Sequence, residues 1–280
     1  MLSQRHILNS LFTDKTLPLL MGIINVTPDS FSDGNLFLEL PKAVERAKQL
    51  IDDGADILDI GGESSRPGSG TISADEELQR VIPVLSELRK LSNIPVSIDT
   101  RKARVAAVSI EAGADIINDI SAGSFDSGML GVLAGKPDVG YVMMHMQGEP
   151  ATMQENPFYN DVISEICDFF QKKLTLFEQA GINSDRIFLD PGIGFGKTAS
   201  HNLIILNHLD KFKPLGLPLV IGASRKRFIG EISPSSALER TAGSLAAALV
   251  AADSGVAVIR THDVKEHRQF FSILQSIREA

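Results

Sequence analysis

Short runs of Ile, Val and Leu recur along the chain, each followed by a polar loop and then by a stretch whose apolar positions fall three or four residues apart. These runs predict strands over 19–26, 56–60, 95–98, 115–120, 140–144, 186–189, 218–221 and 256–259. They are largely apolar throughout rather than alternating, the pattern of a parallel sheet covered by helices.

In the first intervening stretch Ala43, Val44, Ala47, Leu50 and Ile51 share one helical face, with Pro41 suited to the first turn and Gly54 to the end. The next helix opens on Ser73 and Glu76 at capping-box spacing and runs through Leu78, Ile82, Leu85 and Leu88, with Pro83 removing one internal hydrogen bond. Further helices are predicted over 102–111, 162–180, 202–212, 237–253 and 264–277. The weak slot is 127–134, where Gly128, Gly131 and Gly135 disfavour a long helix. The Ala-rich stretch 244–252 suits either a barrel-facing or a subunit-facing helix surface.

Eight strand-helix units in 280 residues predict an α/β fold, a (β/α)8 TIM barrel in a single domain over 1–280 with 1–17 as an N-terminal extension. An open doubly wound sheet shares the rhythm, but eight units in a chain of one domain's length favour the closed barrel.

Composition narrows the class. With 43% apolar residues the chain can bury a large core, and 27 Lys plus Arg against 35 Asp plus Glu give a net charge of -8, which argues against a nucleic-acid or anionic-membrane surface. Cys167 is the only cysteine, so neither a disulfide framework nor a multi-cysteine metal site is expected. No run approaches the roughly 20 apolar residues of a membrane span, and Asp14 and Lys15 break up the first stretch, so a cytoplasmic location is the expectation.

In such a barrel the C-terminal strand ends converge on one mouth, and helix N-termini point their positive partial charge toward it. Here those ends are polar. Asp99, Asn118 and Asp190 suit a flat heterocycle, because a carboxylate can take two parallel N–H bonds from an aminopyrimidinone edge. Arg66, Lys197, Arg225, Lys226, Arg260 and His262 offer positive charge from several strand ends, as a polyanion requires. Asn25 is a neutral oxygen ligand that would suit Mg²⁺ held mainly by substrate phosphates. Any one of these alone reads as a turn residue, helix cap or exposed charge; their joint placement carries the inference. His145, among Met143, Met144 and Met146, reads first as a hydrogen-bonded core histidine. Glu63 fits either an acid or a support for Arg66 or the sheet.

One motif misleads. Residues 191–198 read P-G-I-G-F-G-K-T, one residue from the phosphate-binding G-x-x-x-x-G-K-[ST], and lie between a strand and a helix. The mismatch is at the first glycine, where Pro191 fixes φ and lacks an N–H. A nucleotide-binding P-loop is therefore set aside.

The stretches Met21-Gly22-Ile23-Ile24-Asn25-Val26-Thr27-Pro28-Asp29-Ser30-Phe31-Ser32-Asp33-Gly34 and Gly61-Gly62-Glu63-Ser64-Ser65-Arg66-Pro67-Gly68 resemble the dihydropteroate synthases. So do Ser97-Ile98-Asp99-Thr100, Ile116-Ile117-Asn118-Asp119, Met144-His145-Met146-Gln147-Gly148, Leu189-Asp190-Pro191-Gly192, Ser224-Arg225-Lys226 and Arg260-Thr261-His262-Asp263-Val264, in that order. The resemblance implies a transferase that joins 6-hydroxymethyl-7,8-dihydropterin diphosphate to 4-aminobenzoate in folate biosynthesis, releasing diphosphate, with Mg²⁺ as cofactor and a homodimer as assembly.

Position by position, the resemblance implies pterin binding by Asp99, Asn118, Asp190 and Lys226, with Met144 packing on the ring. It implies diphosphate binding by Arg260, His262 and the Thr261 backbone, a metal ligand at Asn25, and aminobenzoate contacts from Ser65, Arg66, Pro67, Phe195, Ser224 and Lys226. Catalysis is expected from Asp99, Asp190, Lys226, Arg260 and His262, with the carbon-oxygen bond breaking before the amine attacks. The chain departs from the common family pattern at Ser65, where threonine is usual, and at Ile193, where phenylalanine is frequent. Loops 27–40 and 64–73 are expected to be mobile without ligand and to close over both substrates. A corrinoid-linked pterin methyltransferase would have no use for the Arg260, His262 and Asn25 apparatus, and a silent pterin-binding paralogue is expected to have lost a charged loop residue, whereas none of those matched is missing here.

Overall fold

The computed structural model describes residues 17–27, 36–66 and 68–280, with the side chains of 36–39 left out of the description. Pro67 and most of the loop expected over 27–40 lie outside the described residues.

The strands are β1 (Leu19–Asn25), β2 (Ile57–Gly61), β3 (Val96–Asp99), β4 (Ile116–Asp119), β5 (Gly140–Met144), β6 (Ile187–Asp190), β7 (Val220–Ile221) and β8 (Val258–Thr261). They pair in parallel in the order β6-β5-β4-β3-β2-β1-β8-β7, and a single bridge between Leu189 and Leu219 joins β6 to β7 and closes a β/α barrel. Around it run α1 (Leu36–Asp52), α2 (Ala74–Leu91), α3 (Ala103–Glu111), α4 (Gly128–Ala134), α5 (Val162–Gln179), α6 (Ala199–Asn207), α7 (Arg227–Ile232), α8 (Thr241–Asp253) and α9 (Val264–Glu279).

Side chains on a strand alternate between the barrel interior and the helix layer. Leu58, Ile60, Ile98 and Ile117 pack outward against Leu50, Leu85 and other buried helix residues. Met21, Ile57, Ile116, Val142, Phe188, Val220 and Val258 fill the interior. Burial of each such large apolar side chain stabilises the barrel by about 1.5–3 kcal/mol. Two residues further along the same strands, at the next inward position, stand Asp59, Asn118, Met144, Asp190 and Arg260. The interior therefore changes from an apolar floor to a polar mouth within one pleat.

Strands β2, β3, β6 and β8 begin and end one or two residues later than the apolar runs suggest. Asp99, Asp190 and Thr261 are strand residues rather than loop residues, because the parallel ladder continues through them, and Asn25 and Asn118 lie within their strands as expected, with Gly61 in register with both Asn25 and Asp99. Helix limits shift too. Pro41 stands inside α1 on its exposed side rather than in its first turn. Ser73 caps α2 by accepting from the Glu76 N–H, as its spacing predicts. The helix expected over 202–212 breaks at His208 into α6 and a 3-10 stretch, Leu209–Leu215. The one expected over 237–253 breaks at Arg240 into Ala237–Glu239 and α8, with Arg240 packed over Gly230. Ser244, Ala247, Ala248 and Ala251 are buried, so that face of α8 meets the barrel.

Candidate active site

The mouth holds a cavity of about 320 Å³, counting the part open to solvent, lined by Asp99, Asn118, Ile120, Met144, Asp190, Ile193, Phe195, Gly222, Lys226 and Arg260. Ile120, Met144, Met153 and Phe195 form an apolar cluster at one wall. The opposite side is ionic. Arg260 donates from Nε to Asp59 Oδ2 at 2.6 Å and from Nη2 to Asp99 Oδ2 at 2.8 Å. Asn118 Nδ2 donates to the same Asp59 oxygen at 3.3 Å. Asp190 Oδ1 accepts from the Gly192 N–H at 2.7 Å, and Lys226 Nζ stands 4.1 Å from the centre of the Phe195 ring.

Burial dominates the protonation of these groups. It pushes the Asp99 carboxyl up to about 7, against the opposing pull of Arg260 and with further upward pressure from Asp59. Asp190 is also raised by burial, although the Gly192 N–H and the charges of Lys226, Arg260 and Lys197 hold it down. Burial and the neighbouring Arg260 bring the Lys226 ammonium down to about 8.

Asn25 and Asp99 flank Gly61 on adjacent strands. A Cβ built on Gly61 would lie 3.8 Å from Asp99 Oδ2 and 3.9 Å from Asn25 Oδ1, so the missing side chain leaves a space bordered by two oxygen donors. Among the described residues no group of three or more His, Cys, Asp and Glu could hold a metal. A divalent ion carried in by phosphate oxygens and met by one neutral amide oxygen fits this donor set; an all-protein cage does not.

At the β7 and β8 ends Ser224 Oγ accepts from the His262 backbone N–H at 3.2 Å and lies 3.1 Å from His262 Nδ1. The hydroxyl keeps one proton and a second lone pair, so it satisfies Nδ1 in either tautomer of the neutral ring. Burial, with Arg260 and Arg225 nearby, brings His262 down to about 3, so the ring is neutral. Thr261 is fully buried in the β1-β8 ladder, and its hydroxyl accepts from the Asp263 N–H.

A model of the pterin-binding enzyme family matches residues 21–262. The dihydropteroate synthase of Escherichia coli K12 is 45% identical over 267 residues, covering 95% of this chain and 94% of that protein. The chain belongs to the dihydropteroate synthase family. The crystal structure of the Yersinia pestis dihydropteroate synthase with a sulfonamide drug complex matches with a TM-score of 0.89 at 42% identity, covering 95% of this chain and 96% of that one. The Xanthomonas albilineans dihydropteroate synthase with 4-aminobenzoic acid matches with a TM-score of 0.88 at 41% identity and covers 94% of each chain.

For this member of the dihydropteroate synthase family, the fold brings Asp99, Asn118, Met144, Asp190, Phe195, Lys226 and Arg260 around one cavity, with Ser224 and His262 paired beside Arg260's strand. Ser65 and Arg66 lie on the loop after β2, Arg66 exposed, and that loop is tied down at its far end. Ile72 N–H donates to Glu63 Oε2 at 3.0 Å and Arg101 Nη2 to Thr71 Oγ1 at 2.9 Å. Glu63 is thus a support, held also by Lys102 at 2.6 Å and Arg101 at 3.1 Å, rather than a partner of Arg66.

Two cations expected at the mouth are turned elsewhere. Lys197 is 2% exposed and points back into the loop, and Arg225 pairs with Asp263. His145 is a buried, hydrogen-bonded histidine, as its apolar setting suggests. Asp59 was not among the residues picked out from sequence. Its signal was there: a carboxylate inside an otherwise apolar strand is almost never buried without a charged partner.

Proposed function

We propose that this chain condenses 6-hydroxymethyl-7,8-dihydropterin diphosphate with 4-aminobenzoate to give 7,8-dihydropteroate and diphosphate, with its strand-end residues divided between ring, leaving group and amine. The observation that carries this reading is the meeting of Asp99, Asn118, Asp190, Lys226 and Arg260 around one cavity. Anionic and amide groups there face a planar heterocycle, and cationic groups stand at its rim.

In this reading Asp99, Asn118 and Asp190 take the N–H edge of the pterin, Lys226 its carbonyl side, and Met144 lies against the ring. The Arg260 guanidinium, the His262 imidazole and the Thr261 backbone hold diphosphate oxygens. Asn25 offers an oxygen to Mg²⁺, which when bound neutralises charge on the leaving group. The aminobenzoate lies against Phe195, with Ser224, Lys226, Ser65, Arg66 and Pro67 around it. Serine at 65 keeps the hydroxyl of the usual threonine and loses a methyl, which loosens packing against aminobenzoate and against sulfonamide competitors.

The carbon-oxygen bond at the pterin methylene breaks first, and its electron pair leaves with diphosphate. Asp99 and Asp190 stabilise the positive charge spreading into the ring. The amine lone pair then forms the carbon-nitrogen bond, and the amine's proton passes to an oxygen of the departing diphosphate. An aromatic amine is already neutral near pH 7, so no strong base is required. Closure of the loops around 27–40 and 64–73 would keep water from capturing the cation.

A homodimer fits the apolar surface of the α6-α7-α8 side, where Leu203, Ile204, Ile232 and Val250 are exposed; sedimentation of the purified chain tests it. The activity is tested by supplying both substrates with Mg²⁺ and following diphosphate release and dihydropteroate formation with and without the amine. Asp190→Asn should keep the fold and lower turnover severely; a fully active variant would remove its electrostatic role.

A further inference from the structure

The near-match to a phosphate-binding loop at 191–198 has a different explanation in the fold. Gly192 and Gly196 have positive φ, +71° and +62°, and a Cβ on either would overlap a backbone carbonyl of the neighbouring β5 loop, that of His145 or that of Gln147. The glycines let two loops touch backbone to backbone. Lys197 then folds inward instead of out toward solvent. Its Nζ lies 3.0 Å from His145 Nδ1, 3.4 Å from His145 O and 3.0 Å from Phe195 O.

Burial brings Lys197 down to about 7; in its ammonium form it has three donors and no acceptor, so these contacts use it completely. They also require the Nδ1 of His145 to be an acceptor. Burial and the adjacent Lys197 bring that imidazole down to about 2, so it is neutral. Tyr159 closes the pocket from the far side, its hydroxyl donating to Gly196 O at 3.0 Å, while the His145 ring meets the edge of Phe169 at 4.9 Å.

We propose that Lys197 is a positioning residue that ties the β5 end at His145 to the β6 loop at Phe195, and so sets the Phe195 ring and the Lys226 chain resting on it for the aminobenzoate. This rests on the assignment of Phe195 to the aminobenzoate made above. The pterin groups Asp99, Asn118, Met144 and Asp190 are held by the β3-β4 and β5-β6 ladders, and Lys226 serves both substrates, whereas Phe195 lies in a loop whose carbonyl is gripped by Lys197. Cutting the tie therefore weakens aminobenzoate binding more than pterin binding.

The test compares the two Michaelis constants in the full-length chain. Lys197→Met should raise the KM for 4-aminobenzoate about tenfold and leave that for the pterin diphosphate within about threefold. His145→Leu keeps both carbonyl acceptors and is the milder cut; it should give the same selective rise, about threefold, and serves if Lys197→Met does not fold. An unchanged aminobenzoate KM in a folded variant, or a parallel rise of both constants, overturns the proposal. Absence of dihydropteroate formation by the unmodified chain would instead overturn the functional reading beneath it.

Discussion

Asp99 Oδ2 and Arg260 Nη2 are 2.8 Å apart across the barrel mouth, so the carboxylate assigned to the pterin and the guanidinium assigned to the diphosphate are paired with each other. Substrate must exchange this internal pair for two external ones, while Asp59 keeps hold of the guanidinium at Nε. Asp99→Asn removes the anion but not the shape. A hydrogen bond to a charged group contributes about 1.5–3 kcal/mol, so kcat/KM for the pterin diphosphate should fall by roughly 10- to 150-fold on that contact alone. The unfolding temperature should stay within a few degrees, since the variant also removes a costly buried charge. A variant with native kcat/KM would take Asp99 out of the site.

The pH dependence follows from the same group. Burial first, and Asp59 second to it among the upward influences, bring Asp99 up to about 7 in the folded chain from an ordinary 3.8. Because the folded pKa is raised, the stability this group contributes is complete below about 4 and is lost as pH climbs through about 7. Pterin capture needs the ionised form and runs the other way. Between pH 6 and 8, kcat/KM for the pterin diphosphate should rise while the stability difference between the native chain and Asp99→Asn shifts in favour of the variant. Paired rate and thermal-unfolding profiles read both slopes.

Asp59 is fully buried and its Oδ2 accepts from both Arg260 and Asn118. Asp59→Leu leaves a largely buried guanidinium short of a partner. Breaking a buried pair in this way costs about 3–5 kcal/mol, which a urea titration measures as a lowered midpoint at constant m-value. A midpoint equal to that of the native chain would mean that Arg260 finds full compensation from Asp99.

Metal removal should separate activity from folding. With no all-protein cage among the described residues, chelation by EDTA should abolish turnover, leave the unfolding temperature unchanged, and be reversed by Mg²⁺. Asn25→Ala should raise the Mg²⁺ concentration needed for half-maximal rate. A chelator-induced loss of structure would point to a resident ion instead.

Most of the barrel was legible because apolar runs buried on both faces have few other solutions. Two strand ends were legible as chemistry but not as strand: Asp99 and Asp190 are polar, so the pattern assigned them to loops, although the ladder runs through them. What the pattern could not reveal is direction. Lys197 and Arg225 sit in the same kind of polar strand-end segment as Lys226 and Arg260, yet one turns back onto carbonyls and the other onto Asp263. Asp59 was passed over for the converse reason, its charge being hidden in a run that reads as core. Helix breaks at His208 and Arg240 follow from local packing, which periodicity does not record.

The wall of the barrel is thinnest between β6 and β7, where one bridge and a 2.9 Å bond from Leu189 N–H to Pro218 O do the work that a longer ladder does elsewhere. Asp190 caps one side of that seam and Gly222, Ser224 and Lys226 follow the other. Transient parting of the staves there would widen the bench for the second substrate while the remaining seven joints stay shut. Amide exchange at Leu189 should accordingly run ahead of that at Ile98 or Ile117, and slow once product bridges the gap.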